Sequence, residues 1–453
     1  MKTSINRTLL AATLLAFVPL AAQSKPLRET IVETLETHPQ QVRVVERHAA
    51  ALESVQMEEA GYRPTVDLSL GIGREKTYSG SDNDWFTRRE AALRLSQMLY
   101  DGYETKSRVD SSMAGARAEA ARSEERAEGI ALEVATVYLD VLRQRQLLEA
   151  TKNNLAAHQD TYEKIARRAE MGVGSGVDAT QAKGRLALAK YNLSVVEGNL
   201  WESEINFERV VGYKPAELQM PNEDCCTHLP YTAEDARYVA IMENPRFAAA
   251  VADHESSLGQ VAVARSAMQP KVHLEIDLTS NKGANATPER ESALSAMIRA
   301  RHNLYRGGAD EAQIKRAEYL SAATRAQGEK DRRDLEADAE IAWYELESIY
   351  LQLPELERRQ NEAQGTRDAY SKQFNIGQRS LLDLLDSENE LFTATNDLIS
   401  ARIDEQLARY TLLARVGRFM DYLELEAPGH PEHRNDEGEL PELDAVNVAT
   451  AVR

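Results

Sequence analysis

Gly377-Gln378-Arg379-Ser380-Leu381-Leu382-Asp383-Leu384-Leu385-Asp386 joins two long helical patterns. The glycine ends the first pattern, and two carboxylates open the second. Residues i and i+3 share a helix face, so Asp383 and Asp386 point the same way. An earlier stretch, Gly172-Val173-Gly174-Ser175-Gly176-Val177-Asp178, has the same plan, with Gly172 and Asp178 each 205 residues before Gly377 and Asp383. Other landmarks keep that register to within one residue. His38-Pro39 returns as Asn244-Pro245, Arg63-Pro64 as Gln269-Pro270, Leu99-Tyr100-Asp101-Gly102 as Leu304-Tyr305-Arg306-Gly307, and Val211-Gly212 as Val416-Gly417. A spacing held this closely marks a tandem duplication.

Working outward, each copy opens on a helical pattern, Leu27 to Ala60 and Ala236 to Met268, which a proline stops. Period two follows, the signature of a strand. Val66, Leu68, Leu70 and Ile72 alternate with Asp67, Ser69, Gly71 and Gly73; Val272, Leu274, Ile276 and Leu278 alternate with His273, Glu275 and Asp277. A polar loop and a second alternating run complete a hairpin in each copy, over 64–100 and 270–305. Strands of about ten residues match a tilted membrane crossing. Tyr78, Trp85 and Phe86 in the first loop suit an interface belt. A soluble half-buried sheet is the other reading of the alternation. The membrane reading is preferred because four strands offer little else to bury the aliphatic face. Four strands cannot close around a pore, so a pore requires several chains.

Beyond each hairpin the period is helical. Val134, Val141, Leu148, Leu155 and Tyr162 recur at seven, with Val137 and Ile165 between, which is coiled-coil spacing. Tyr103 to Ala169 is a long outward helix of about 100 Å, and Val177 to Val211 a half-length return helix. Gly308 to Phe374 and Leu381 to Val416 repeat them, with Pro354 expected to kink the former. The expected organisation is a signal peptide over 1–24, repeats over 25–212 and 236–420, an intervening linker over 213–235, and an acidic flexible tail over 421–453.

The bulk numbers agree with this outline. A net charge of -19 argues against nucleic acid as a partner. Lys2 and Arg7 precede an apolar run, Leu9 to Leu20, and Ala22-Gln23-Ser24 fits a cleavage site, so the segment reads as a secretory signal. No cysteine lies at that site, which argues against a lipid anchor. No other segment approaches a membrane helix, so membrane entry must be as a β-barrel. Cys225 and Cys226 are adjacent, and their strained geometry favours two unpaired linker residues over a mutual bond; a bridge between chains is the alternative.

Asp383 and Asp386 have several readings: a metal pair, an acid/base pair, or a solvated helix face. At the tip of a rod assembled about an axis they would form rings, and charged rings select and gate in channels. Arg379 is placed to pair with Asp383 on its own helix or with Asp178 on the neighbouring tip. Gly172, Gly174 and Gly176 lack the strand and lysine of a phosphate loop. His430 and His433 have no further ligands nearby. No nucleophile–base arrangement stands out, and no cofactor, metal or enzymatic activity is expected.

Gly-x-Arg-x-x-x-Asp-x-x-Asp at the second tip, the signal peptide and the duplicated helix–hairpin–helix–turn–helix plan together resemble the TolC family of outer-membrane export channels. The resemblance implies a trimer with a 12-stranded barrel and an α-helical tunnel reaching into the periplasm. It implies that Asp383 and Asp386 are carboxylate rings constricting the periplasmic entrance. Arg379 and Asp178 would hold that entrance closed, with Gly172 and Gly377 forming the tip turns. The best-known latch in the family has a tyrosine where this chain has Phe374, so its hydroxyl link is missing here. The implied partners are a periplasmic adaptor and an inner-membrane exporter of the ABC type, or an RND or MFS pump. The Tyr-Arg-Pro-Thr-Val-Asp-Leu run from Tyr62 looks like channels paired with ABC exporters of large adhesins or toxins. The expected function is a passive exit duct for type I secretion, with small-molecule efflux as the alternative. A soluble periplasmic coiled-coil or adaptor protein is the rival from another class.

Overall fold

The computed structural model describes residues 25–76, 85–172, 175–221, 228–283 and 289–427. The signal-peptide segment, Tyr78, the Phe86 side chain, Gly174, Cys225, Cys226 and the tail beyond 427 with His430 and His433 lie outside that description.

Each opening pattern is two helices rather than one. The first copy begins with α1 (Leu27–Thr37) and α2 (Pro39–Glu59), the second with α5 (Ala233–Glu243) and α6 (Pro245–Ser266). The break falls on the residue before proline, which the ring pushes out of the helical region. His38 and Asn244 are both extended, and each side chain accepts from the backbone N–H two residues on, capping the second helix. Residues used in the sequence only as repeat landmarks are therefore the joints of the rod.

Strands β1 (Thr65–Lys76), β2 (Trp85–Tyr100), β3 (Lys271–Lys282) and β4 (Arg290–Arg301) form one antiparallel sheet in that order. They are longer than the expected ten residues. The two hairpins join through β2 and β3, leaving β1 and β4 as open edges. Register places Leu68, Leu93, Leu278 and Leu294 in one cross-strand row, and Leu68 and Leu294 are 66% and 73% exposed. A continuous aliphatic row left open in this way matches a lipid-facing wall. The opposite face is polar, with Arg94 bonded to Asp277 at 2.6 Å and Arg299 to Glu275 at 2.7 Å. Among the described residues no helix is long and apolar enough to cross a membrane.

From the sheet run α3 (Glu104–Glu170) and α7 (Ala309–Asn375), each of 67 residues. The returns α4 (Gly176–Val211) and α8 (Leu381–Val416) have 36 residues each. Helix α7 is unbroken through the exposed Pro354. The strand-to-helix junction is tied by Asp101, which accepts from Thr105 N–H at 2.7 Å, and by a Lys271–Glu104 ion pair.

The main core lies mid-rod, where α1, α3, α4, α8 and the short α9 (Phe419–Tyr422) meet around Tyr138, Tyr410, Phe207 and Phe419. The Tyr138 hydroxyl sits 2.8 Å from the carbonyls of Lys25 and Gln219 and accepts from Gln219 N–H, so it pins the segment after α4 to α3. Residues 421–427, expected to belong to a flexible tail, include the buried Leu423, and Leu425 packs on the same core.

Toward the tip the buried seam of α3 departs from the heptad read in the sequence. Val134 and Val141 are fully buried, but Leu148, Leu155 and Tyr162 are only half-buried. Thr151, Asn154, His158 and Thr161 are buried instead, while Ile165 is buried as the pattern placed it. Both α4 and α8 pack on α3, which rotates the covered face.

Candidate functional site

The tip is shaped by two glycines with positive φ, Gly172 at 75° and Gly377 at 78°. No side chain crowds either position, so backbone conformation alone selects glycine there. The second turn closes as a Schellman motif: Gly377 N–H donates to the Phe374 carbonyl and Gln378 N–H to that of Gln373. The returning helices then start on serine caps. Ser175 accepts from Val177 N–H, and Ser380 from Asp383 N–H at 3.1 Å. Asp178 and Asp383 occupy the same position, the third residue of their helices. A carboxylate there also stabilises the helix through its dipole, by about 0.3–1 kcal/mol.

Within one chain Arg379 does not reach Asp178. Its guanidinium lies 3.8 Å from Asp383, donates to Gln373 Oε1 at 3.1 Å, and stacks over the Tyr370 ring at 4.0 Å. Of the two pairings open in the sequence, the single chain makes the local one. Asp178 is half-buried and has no ion pair among the described residues. Phe374 packs with Ile165, Ala182, Leu381 and Leu385, a small apolar cluster that holds the two tip hairpins together, and Arg168 lies over its ring.

Asp386 is held by a residue that sequence reasoning missed. Arg185 of α4 donates to Asp386 Oδ1 at 3.0 Å, joining the two return helices across 201 positions of sequence. Helical spacing offered a hint, since Arg185 is seven residues, or two turns, beyond Asp178. No local rule pairs it with α8. Tyr370 was also missed, although it is one turn before Phe374.

Two buried ionisable groups lie just above the tip. Burial pushes the Glu388 carboxyl up, against the pull of Arg367 at 3.7 Å. Burial also pushes the His158 imidazole down, helped by the Arg185 charge, and its Nδ1 has no partner among the described residues. At the rod end Asp386 is exposed and Asp383 half-buried, each beside a compensating arginine. They can attract and order cations there. Among the described residues no group of three or more His, Cys, Asp or Glu is placed to hold a metal ion.

Paired helical hairpins of equal length, standing on a sheet with an aliphatic outer face, define a share of a membrane-anchored helical duct. The model of the outer membrane efflux protein family matches twice, over residues 30–213 and 236–418. The chain belongs to that family: it is a passive outer-membrane channel protein extending into the periplasm, not an enzyme. The double match reports the duplication independently of the landmarks above. The chain is 25% identical to the outer membrane efflux protein BepC of Brucella suis, covering 81% of this chain and 79% of that one. It is 23% identical to the outer membrane protein TolC of Vibrio cholerae, covering 88% and 92%. The alkaline protease secretion protein AprF of Pseudomonas aeruginosa is 23% identical, with 86% and 84% covered. The solved Campylobacter jejuni CmeC outer membrane channel superposes with a TM-score of 0.77 at 13% identity, covering 87% and 86%.

Proposed function

We propose that three copies of this chain close a 12-stranded barrel and a helical tunnel that serves as the exit duct for type I secretion of a large protein. The observation that carries the assembly is the four-stranded sheet with two open edges, since backbone edges cannot stay unpaired in lipid. Unburied helix faces support it: α4 leaves Leu188, Tyr191, Val195 and Ile205 exposed, and α7 leaves Ile341, Tyr344 and Leu351 exposed. These spacings suit helices of adjacent copies. A periplasmic adaptor would dock in the tip grooves, and an ABC exporter would supply the energy.

The similarity to a relative named for alkaline protease secretion favours protein cargo. Small-molecule efflux is the second reading, favoured by the relative named BepC. In cells lacking this chain, the expected result is loss of a large protein from the medium with unchanged susceptibility to dyes and antibiotics. Unchanged secretion with raised susceptibility would assign the duct to efflux.

Asp383 and Asp386 would ring the periplasmic entrance, with Arg379 of one copy linked to Asp178 of the next. Changing Arg379 and Asp178 together to alanine is expected to raise single-channel conductance in planar bilayers. An exposed pair contributes up to about 1 kcal/mol. Three such links therefore shift the open population by up to roughly a hundredfold. Unchanged conductance would remove these two residues from the latch.

A further inference from the structure

The outward face of the sheet changes character along the strands. Val66, Leu95, Ile276 and Ala296 form one cross-strand row, and the leucine row follows. Two outward rows farther from the helices, the residues are Ile72, Arg89, Lys282 and Arg290. Arg74 lies two residues beyond Ile72 on β1, so it shares that face. These four cations are exposed, and none has a hydrogen bond or ion pair among the described residues. The polar face behaves differently: there Arg88 bonds Glu75 at 2.7 Å and also pairs with Glu90.

Like charges directly opposite one another destabilise a sheet. Arg89 faces Lys282, and Lys282 faces Arg290, so two such pairs stand in succession. Anions between them would reverse the sign of that interaction. Among the described residues the chain supplies none on this face, and the aliphatic rows nearer the helices place the face in lipid. Lipid headgroups are the anions that a cationic row on a lipid-facing wall meets. Level fixes the leaflet. The row sits at the strand ends remote from α3 and α7, and that tunnel points into the periplasm, so the row lies at the cell-surface side.

We propose that Arg74, Arg89, Lys282 and Arg290 form a docking row for the phosphates of a phosphorylated glycolipid of the outer leaflet. Guanidinium groups take phosphate oxygens bidentately, and the acyl chains lie along the leucine row. The proposal rests on the lipid-facing reading of the aliphatic rows.

The test titrates purified lipopolysaccharide, intact or dephosphorylated, onto the purified full chain in detergent, read by native mass spectrometry. Intact lipid is expected to bind the native chain and the dephosphorylated form far more weakly. The triple variant R89Q, K282Q and R290Q is expected to bind about a hundredfold more weakly, since each cation near an anionic surface contributes about a factor of five. R88Q, on the polar face, is expected to bind like the native chain. Equal binding of intact and dephosphorylated lipid, equal competition by phosphatidylglycerol, or an unchanged triple variant overturns the proposal. Should the triple variant not assemble, the two lipid forms on the native chain decide. A nitroxide at Leu68→Cys tests the premise separately. Quenching by oxygen rather than by a water-soluble nickel chelate keeps the lipid-facing reading even where the phosphate proposal fails.

Discussion

With asparagine at both Asp383 and Asp386, block by divalent cations added from the helical end is expected to vanish, while the native channel is blocked. In the proposed three-copy assembly these positions would bring six carboxylates to one constriction. A cation there gains charge-assisted contacts of about 1.5–3 kcal/mol each, so losing one ring weakens block by about tenfold or more. The geometry also ranks the rings. Arg185 donates to Asp386 at 3.0 Å, whereas Arg379 stands 3.8 Å from Asp383 and is drawn toward the Tyr370 ring. Asp386 is therefore the better compensated. Asp383→Asn should relieve more block than Asp386→Asn, and Arg185→Gln should strengthen block by freeing Asp386. Titrating calcium in planar bilayers checks all of these variants. Block that survives in the double asparagine channel would place the cation site elsewhere.

The scaffold was legible because its signals are hard constraints. Glycines at positive φ, prolines that stop helices and period-two alternation recur in one register, and the structure returns two helices of 67 and two of 36 residues. The joints at His38 and Asn244 were visible as landmarks but were read through, because amphipathic period continues across a residue that proline forces out of the helix. The tip seam was misjudged for a different reason. Leu148, Leu155 and Tyr162 keep the heptad, yet burial passes to Thr151, Asn154 and His158 once α4 and α8 both cover α3. Periodicity records that a face is covered, not which neighbour covers it. Arg185 with Asp386 marks where such reasoning ends. A pairing across 201 positions follows from how two hairpins pack, and no window of sequence contains both. Asp178, Asp383 and Arg379 were found because they sit at fixed offsets from turn glycines.

Glu128→Gln is expected to abolish a steep pH dependence in how firmly the segment after α8 is held. Glu128 lies on α3, is 7% exposed, and accepts from Met420 N–H at 3.1 Å, at the start of α9. Burial pushes its carboxyl from 4.5 up to about 8, and the nearby Asp421 and Glu124 add to this. The hydrogen bonds from Met420 and Phe419 pull the other way and are outweighed. The docked state therefore holds a proton that the detached, solvated carboxyl releases. Docking is strongest below the unfolded value near 4.5. It weakens as pH rises toward about 8 and levels off above. Each pH unit in that window costs about 1.4 kcal/mol, so the span amounts to roughly 5 kcal/mol. Hydrogen exchange of the amides from Phe419 to Leu423, corrected for intrinsic rates, should lose protection about tenfold per pH unit between pH 6 and 8. Glutamine keeps an acceptor for Met420 N–H without the ionisation, so its protection should stay flat and exceed the native value at pH 8. A native slope that persists in the glutamine variant would mean that a different group titrates beneath α9.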